Sequence, residues 1–316
     1  MTSTRILFFG SPAFAVPTLA ALGAAPDVEL VGAVTQPDRP RGRGQKVTAG
    51  PVKAWAAARG LPVLQPARLG DHGVREALTA LDSDLGVVAA YGKILPPWLL
   101  ALPRLGMINV HASLLPAYRG AAPVQRAILD GARETGVTIM RVVPELDAGP
   151  MLDRVVVPID DEVTSDVLEA RLAEAGATLL VAVVARLQHG GVVETPQDAA
   201  QASYAAKITR ADAPMLWTRP ARALHDQVRG LQPWPRASLA CGGRRVIVHR
   251  SVVPGRPTAA PPGTVVDAGP AGIDVAAGDG QCLRLLVVQL EGGRPVSAAE
   301  FQAGRGLEPG AICQPA

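Results

Sequence analysis

The sequence has few cysteines and no long hydrophobic run, and these two absences exclude several classes of protein. Its three cysteines, Cys241, Cys282 and Cys313, are widely separated and form no Cys-x-x-Cys pair, so neither a disulfide framework nor a zinc site is predicted. No stretch approaches about eighteen consecutive apolar residues, and no secretory signal precedes the first apolar strand. We therefore expect a cytoplasmic protein without membrane contacts, whose cysteines are small buried side chains.

The nucleotide-binding fingerprints are also absent. Residues 5–10 (RILFFG), a Gly-Ser-Pro turn, a helix over 16–22 and a second strand over 28–35 predict a βαβ unit, and hence a parallel sheet. However, G-x-G-x-x-G does not follow the first strand, and no Walker pattern occurs anywhere in the chain. The first domain should therefore be Rossmann-like in shape. The main sequence evidence for a dehydrogenase, the glycine-rich dinucleotide fingerprint, is missing.

Charge is unevenly distributed along the chain. The 316 residues carry a net charge of +3 and are 48% hydrophobic, which fits a globular protein with room for two domains. Residues 1–206 contain 18 basic and 20 acidic side chains, whereas residues 207–316 contain 13 basic and 8 acidic ones. The basic C-terminal third favours an anionic partner, and an ordinary solvated surface is the alternative.

The C-terminal third has the pattern of a small β-barrel. An OB-fold is a natural possibility because it binds oligonucleotides, while a sandwich or an SH3-like barrel remains open. A long amphipathic helix over 165–189 should close the first domain, followed by a polar stretch. We thus predict a domain over 1–189, a linker over 190–206 and a second domain over 207–316. The short strand patterns of the second domain lie at 237–241, 245–253, 263–267, 273–276 and 282–289.

Residues 36–50 form a basic segment, QPDRPRGRGQKVTAG, that is rich in proline and glycine. Such a composition buries little apolar surface, so we expect a long exposed loop after the second strand. Its cations, Arg39, Arg41, Arg43 and Lys46, would suit phosphate groups. A solvated linker with no partner is the alternative from composition alone.

Polar side chains that suit catalysis cluster around a short strand pattern at residues 107–111. Asn109 and His111 are two residues apart, so in a strand both side chains leave the same face. The chain then turns at 113–116, forms a helix over 123–130 and returns as a strand over 137–143. A turn after that strand brings Asp147 into position to meet His111. A hydrogen-bonded structural pair is the alternative interpretation.

Longer strings identify a known pattern. NVHASLLPAYRGAAPVQRAI, followed by GVTIM and ELDAGPML, closely resembles the folate-dependent formyltransferase family. The resemblance also covers FFGSPAFAVPTL, TQPDRPRGRGQKVTAGPVK and VVAAYGKILPPWLL, which extend it over most of the first two thirds of the chain. It implies a mostly parallel-sheet formyltransferase domain followed by a small OB-like barrel, and Asn109, His111 and Asp147 match the catalytic Asn, His and Asp of the family.

The resemblance also implies the ligands. The donor would be 10-formyltetrahydrofolate and the acceptor the α-amine of initiator methionyl-tRNA. Apart from the resemblance, nothing in the sequence demands more than a monomer, and the chemistry of formyl transfer requires no metal. KITR at 207–210 and VRGLQPWP at 228–235 resemble the tRNA-contacting domain of members that act on tRNA. The implied tRNA-binding residues are Arg41, Arg43, Lys46, Lys207 and Arg210. The implied folate-binding residues are Tyr91, Gly92, Ser113, Leu114, Leu115, Pro116, Val142 and Glu145.

Formyl transfer needs a neutral amine, a donor to the oxyanion at the formyl carbon and a proton for the leaving folate nitrogen. An α-amine with a pKa of about 8 is partly neutral at physiological pH, so no strong base is required. Asn109 suits the oxyanion, His111 suits proton transfer, and Asp147 would orient the imidazole and help to carry protons. Two alternatives remain: an N-formyltransferase acting on a sugar nucleotide or another small amine, and an RNA-binding protein without catalysis.

Overall fold

The computed structural model describes residues 3–41 and 46–316. Contacts within the chain define two compact units. The first comprises Met1–Pro123, Glu134–Pro158 and Glu169–Ala205, and the second comprises Val124–Arg133, Ile159–Leu168 and Ala206–Ala316. Two short pieces of the N-terminal two thirds thus belong to the second unit, called the C-terminal unit below. Neither unit is therefore one continuous stretch of the chain.

The N-terminal two thirds alternate strands and helices, as the βαβ pattern predicts. Helix and strand bounds differ from the sequence-based ones by up to three residues, because the ends of strands depend on ladder hydrogen bonds that the sequence does not specify. The elements are β1 (Thr4–Gly10), α1 (Ala15–Ala24), β2 (Val28–Val34), β3 (Pro40–Arg41), β4 (Lys46–Val47), α2 (Pro51–Ala57), β5 (Val63–Leu64), α3 (His72–Ala80), β6 (Leu85–Ala89), α4 (Pro97–Leu100), β7 (Met107–His111), β8 (Arg119–Gly120), α5 (Pro123–Leu129), β9 (Glu134–Arg141), β10 (Met151–Pro158) and α6 (Ser165–Gln188).

Seven of these strands form one sheet in the order β10-β9-β7-β6-β1-β2-β5. The five strands from β7 to β5 are parallel, whereas β9 runs antiparallel to both β7 and β10. The apolar run of β1 is buried almost throughout, which is typical of a central parallel strand. The mostly parallel sheet predicted from the sequence is confirmed. Its carboxyl edge holds the ends of β6 and β7, where open α/β sheets bind their ligands.

A glycine lets helix α6 lie close to strand β7. A Cβ atom at Gly176 would come within 2.9 Å of Val110 Cγ1 and 3.1 Å of Val137 Cγ1. Val110 therefore faces α6, and the residues on either side of it, Asn109 and His111, project from the opposite face of the strand. The packing of α6 thus fixes which face of β7 is available for chemistry.

The C-terminal unit is built around an antiparallel sheet in the order β14-β15-β16-β13-β12-β18, with β17 paired to β16. The five predicted strands are present, whereas both helices and the last two strands were not predicted. The remaining elements of the chain are β11 (Tyr204–Ala205), α7 (Ala221–Gly230), β12 (Ala237–Cys241), β13 (Arg244–Val252), β14 (Val265–Gly269), β15 (Gly272–Ala276), β16 (Cys282–Leu290), β17 (Val296–Ser297), α8 (Ala298–Arg305) and β18 (Cys313–Pro315).

Hydrogen bonds join the two ends of this sheet. The Val265 amide donates to the Ala311 carbonyl at 2.9 Å, and the Cys313 amide donates to the Gly263 carbonyl at 2.7 Å. The sheet therefore closes on itself, which confirms the predicted small barrel. All three cysteines are free and buried, as expected for small apolar side chains. Of the helices in the described part of the chain, none combines the length and the apolar character that a membrane span requires.

Candidate active site

Strand β7 carries two of the three predicted catalytic residues. Asn109 pairs with Val88 of β6 and with Met140 of β9, and His111 pairs with Thr138 of β9. The Asn109 side chain is half-buried, and within the described residues nothing hydrogen-bonds to its amide. A strand with neighbours on both sides is a rigid support, so the Asn109 amide is both fixed at its backbone and available to a ligand.

The imidazole of His111 is held by a backbone carbonyl. Its Nε2 atom lies 3.0 Å from the Tyr118 carbonyl oxygen, and the side chain is only 6% exposed. Because a carbonyl can only accept, Nε2 carries a hydrogen in this arrangement. A neutral ring therefore leaves Nδ1 without a proton, so that Nδ1 is the nitrogen able to accept one.

Asp147 lies beside that second nitrogen. Its Oδ2 atom is 3.7 Å from His111 Nδ1 and accepts a hydrogen bond of 2.9 Å from the Gly120 amide. A separation of 3.7 Å is too long for a hydrogen bond. The structure thus brings His111 and Asp147 together, but the ring is oriented by Tyr118 and the carboxylate is oriented by Gly120. The sequence had suggested instead that Asp147 orients the imidazole.

The segment 113–117, which contains four of the predicted folate-binding residues, is tied to β9. Thr138 Oγ1 donates to the Ser113 carbonyl at 2.7 Å and accepts from the Leu115 amide at 3.1 Å. Ser113 and Leu115 are fully buried, whereas Leu114 and Pro116 are half-buried. Of the four side chains, only those of Leu114 and Pro116 are accessible to a ligand, and Ser113 and Leu115 can offer backbone groups alone.

Tyr91, which follows β6, points into the core. Its ring packs edge-on against Phe9 with ring centroids 5.6 Å apart, and burial raises its pKa to about 12. Its carbonyl accepts a hydrogen bond of 2.8 Å from Gln36 Nε2. Gly92 is exposed and has a φ of 74°, a conformation that favours glycine. A ligand at this position would meet backbone rather than the phenol.

The return loop after β9 contains the last two predicted folate-binding residues. Val142 is half-buried, Glu145 is exposed, and the neighbouring Leu146 is 62% exposed. The Val142 amide donates to the Met107 carbonyl at 2.9 Å, which anchors the start of the loop to β7. The loop thus presents an exposed apolar side chain immediately before Asp147.

Four of the five predicted tRNA-binding residues lie in the described part of the chain. Arg41 and Lys46 pair in the short antiparallel hairpin of β3 and β4, while Arg43 lies outside the described residues. Lys207 and Arg210 are exposed in the C-terminal unit. None of the five roles is tested by these positions, so they stay predictions.

Side chains that sequence reasoning missed support the base of the hairpin. Asp38, just before β3, is bonded to Lys53 Nζ at 2.5 Å and to Gln65 Nε2 at 3.0 Å. The hydrogen bond from Lys53 lowers the pKa of the Asp38 carboxyl below its usual value, and Gln65 adds to this effect. The basic segment therefore begins at a carboxylate held in its charged form.

A second missed group lies in the stretch predicted to be a linker. Gln197 Nε2 donates to the carbonyls of Asp147 and Gly149 at 2.9 and 2.8 Å, and its Oε1 accepts two hydrogen bonds from Arg119. These contacts join residues about fifty to eighty positions apart, and a single sequence gives no signal of such pairs. The stretch 190–205 is thus hydrogen-bonded to the candidate site.

Comparison with known proteins gives consistent matches. The formyl transferase family matches residues 4–184, and the formyl transferase C-terminal domain matches residues 207–306. The chain is 47% identical over 297 residues to a methionyl-tRNA formyltransferase of Methylococcus capsulatus, covering 94% of this chain and 96% of that protein. It is 44% identical over 307 residues to a methionyl-tRNA formyltransferase of Bacillus licheniformis, covering 97% of each.

A solved structure supports the fold. An N-formyltransferase from Helicobacter canadensis, in complex with folinic acid and dTDP-3-aminofucose, matches with a TM-score of 0.66 at 15% identity. The match covers 90% of this chain and 99% of that one, and at this identity it is evidence of a shared fold alone. The family matches span more than half of the residues. The chain therefore belongs to the formyl transferase family.

Proposed function

We propose that this protein transfers the formyl group of 10-formyltetrahydrofolate to the α-amine of methionyl initiator tRNA, the reaction that prepares this tRNA for translation initiation. The observation that carries the proposal is the near full-length identity of 44–47% to proteins described as methionyl-tRNA formyltransferases. The approach of His111 to Asp147, beside a half-buried Asn109, supplies the chemical groups that such a reaction uses.

Asn109 would stabilise the oxyanion. When the amine attacks, the formyl oxygen becomes negative, and a side-chain amide without another partner can donate to it. One such donor is worth about 3 kcal/mol of transition-state stabilisation when it is well placed. The rigid position of Asn109 between β6 and β9 means that the amide needs little reorganisation at that moment.

His111 and Asp147 would move the protons. The attacking amine must lose a proton, and the folate nitrogen must gain one as it leaves. Nδ1 of His111 can accept the first proton because Nε2 is already committed to the Tyr118 carbonyl. The Asp147 carboxylate, 3.7 Å away, then stabilises the resulting imidazolium electrostatically. The same proton is available to the leaving group, so transfer requires no net acid or base.

The folate would bind along the loops that follow β6 and β7 at the carboxyl edge of the sheet, and along the return loop that follows β9. Backbone groups of Tyr91, Gly92, Ser113 and Leu115 would recognise its polar ring edge. Accessible side chains would supply the remaining contacts, namely those of Leu114, Pro116, Val142 and Glu145.

The tRNA would be bound by cations of both units: Arg41, Arg43 and Lys46 of the basic segment, and Lys207 and Arg210 of the C-terminal unit. Each phosphate contact releases counterions, so affinity should fall steeply as salt concentration rises. We propose further that the enzyme acts in the cytoplasm as a monomer and uses no metal.

The proposal is tested by formylation assays with 10-formyltetrahydrofolate and three acceptors: methionyl initiator tRNA, methionyl elongator tRNA and a dTDP-linked aminosugar. We expect formylmethionyl-tRNA from the initiator. Arg43→Ala should weaken tRNA binding and reduce the slope of log affinity against log salt concentration by about one unit. Arg154→Ala, which removes an exposed arginine of β10, is the matched control and should change neither. If the aminosugar alone is formylated, the proposed tRNA acceptor is wrong, whereas the proposed catalytic residues stand.

A further inference from the structure

The segment 190–205 connects the parts of the chain that match the two family domains, which end at residue 184 and begin at residue 207. We propose that Gln197 in this segment, together with Arg119, is a positioning residue that holds Asp147 against His111. The inference rests on the function proposed above and adds to it a group that holds the backbone of the turn carrying the carboxylate.

The contacts of Gln197 determine how its amide is oriented. Arg119 can only donate, and its Nε and Nη2 atoms lie 3.0 and 2.7 Å from one end of the amide, which must therefore be the oxygen. The other end must be the nitrogen, and it lies 2.9 Å from the Asp147 carbonyl and 2.8 Å from the Gly149 carbonyl. All four hydrogen bonds are thus satisfied by one orientation, which the buried Arg119 imposes.

Asp147 needs such a restraint because of its backbone conformation. Its φ angle is 47°, in the left-handed region that side chains with a Cβ seldom adopt. Gln197 binds the carbonyl of Asp147 itself and that of Gly149, so it grips the turn at two points. Residues in such conformations persist where their surroundings enforce them, and they concentrate at functional sites.

The same segment also holds the groups that anchor the catalytic pair. Ser203 Oγ accepts from the Tyr118 amide at 2.9 Å, and the Ser203 carbonyl accepts from the Arg119 amide at 2.8 Å. Tyr118 in turn binds the imidazole, and Gly120 binds the carboxylate. One stretch of sixteen residues therefore fixes the backbone on both sides of the site.

The test compares Gln197→Ala and Gln197→Glu with Gln201→Ala, in the full chain and in the Asp147→Asn background. Gln197→Glu keeps an acceptor for Arg119 but removes the two donors to the turn. Gln201 is an exposed glutamine of the same segment whose amide donates to Asp198, so it is the matched control. Single-turnover formylation of methionyl-tRNA, KM for both substrates and thermal unfolding are measured for each.

Both Gln197 variants should lower the single-turnover rate by about tenfold to a hundredfold, with either KM changed less than about threefold. Gln201→Ala should stay within about twofold of the unsubstituted chain. In the Asp147→Asn background, Gln197→Ala should cost no more than about a further twofold, because the group that it positions has lost its charge. An equal loss in both backgrounds, or a loss that tracks thermal unfolding, would overturn the proposal.

A readout independent of activity separates this inference from the proposed function. Hydrogen exchange of peptides containing residues 147–149 should be about tenfold faster in Gln197→Ala than in the unsubstituted chain and unchanged in Gln201→Ala. If the unsubstituted chain formylates no acceptor, the proposed function fails and this measurement alone decides whether Gln197 restrains Asp147. Unchanged exchange in Gln197→Ala overturns the positioning role whatever the activity.

Discussion

Replacing Asp147 by asparagine removes one negative charge from beside His111 and keeps the shape of the side chain. The amide oxygen of asparagine can still accept the hydrogen bond from Gly120, which in the unsubstituted protein measures 2.9 Å. The turn should therefore stay in place, and the change isolates the electrostatic role of the carboxylate.

The size of the effect follows from the distance. Asp147 Oδ2 lies 3.7 Å from His111 Nδ1, and at an effective dielectric constant of about 20 two unit charges at this separation attract by roughly 4 kcal/mol. This attraction exists only when the imidazole is protonated, so its loss falls on the proton-transfer step rather than on substrate binding. Allowing for some screening of a side chain that is 15% exposed, we expect a rate reduced by about a hundredfold to a thousandfold.

The assay is single-turnover formylation at saturating donor and acceptor, with KM for each substrate measured separately. Asp130→Asn, at an exposed carboxylate of the C-terminal unit, is the charge-matched control and should be within about twofold of the unsubstituted rate. If Asp147→Asn retains the rate to within about threefold, its charge contributes less than about 1 kcal/mol and the electrostatic argument is refuted.

Three further changes test other parts of the structure. Asn109→Ala should lower kcat by about a hundredfold or more, with little change in KM or in thermal unfolding, because it removes an oxyanion donor. Tyr91→Phe should change the free energy of unfolding by no more than about 1 kcal/mol at neutral pH, since no described group hydrogen-bonds to the buried phenol. Burial raises the pKa of Tyr91 to about 12 in the folded protein, whereas a tyrosine of the unfolded chain has a pKa of about 10. The free energy of unfolding should therefore fall as pH rises above about 10, because the unfolded chain ionises first. Tyr91→Phe should abolish this fall, as measured by urea titration at alkaline pH. Burial alone would raise the pKa of Asp274, but hydrogen bonds and charges from Arg284 and Arg256 lower it below its usual value. The carboxylate therefore stabilises the fold above about pH 4, and this stabilisation is lost as pH falls through the pKa of the folded state. Asp274→Asn should reduce the free energy of unfolding by about 2 kcal/mol at neutral pH and by less in acid, as measured by urea titration at both pH values.

The fold was predictable wherever one face of an element is apolar. Strand β7, Met107–His111, has the bounds that the sequence suggested, and the alternation around Val110 placed Asn109 and His111 on one face. The central strands are continuous apolar runs, which read as buried parallel strands. These features are local, and local patterns are what a single sequence records.

Helix α7 shows where such patterns fail. Asp226 and Arg229 form an ion pair of 2.9 Å in which both side chains are 3% exposed, and His225 is buried beside Ser251. The apolar residues Ala221, Leu224 and Val228 recur at helical spacing, but charged and polar residues that are also buried lie between them, so the spacing was not recognised and no helix was predicted over Ala221–Gly230. The two partners are three residues apart and so are near in the sequence, but their burial depends on what packs over the helix, which the sequence does not show.

The anchors of the candidate site were hidden for a different reason, because they are backbone groups. The Tyr118 carbonyl and the Gly120 amide reach His111 and Asp147 from a turn in which Tyr118 has a φ of 61°. No residue type encodes a carbonyl or an amide, since every position except proline has both.

Backbone groups orient both His111 and Asp147, and this determines what the Asp147 carboxylate can contribute. In many catalytic histidines a carboxylate accepts a hydrogen bond from one ring nitrogen and so fixes the tautomer. Here the Tyr118 carbonyl already does so at Nε2, which leaves the opposite nitrogen facing a carboxylate at 3.7 Å. The carboxylate is therefore needed for its charge when Nδ1 is protonated and not for the orientation of the ring. It follows that Asp147 must be held by other groups, and the hydrogen bonds from Gly120 and Gln197 are the ones that the structure supplies.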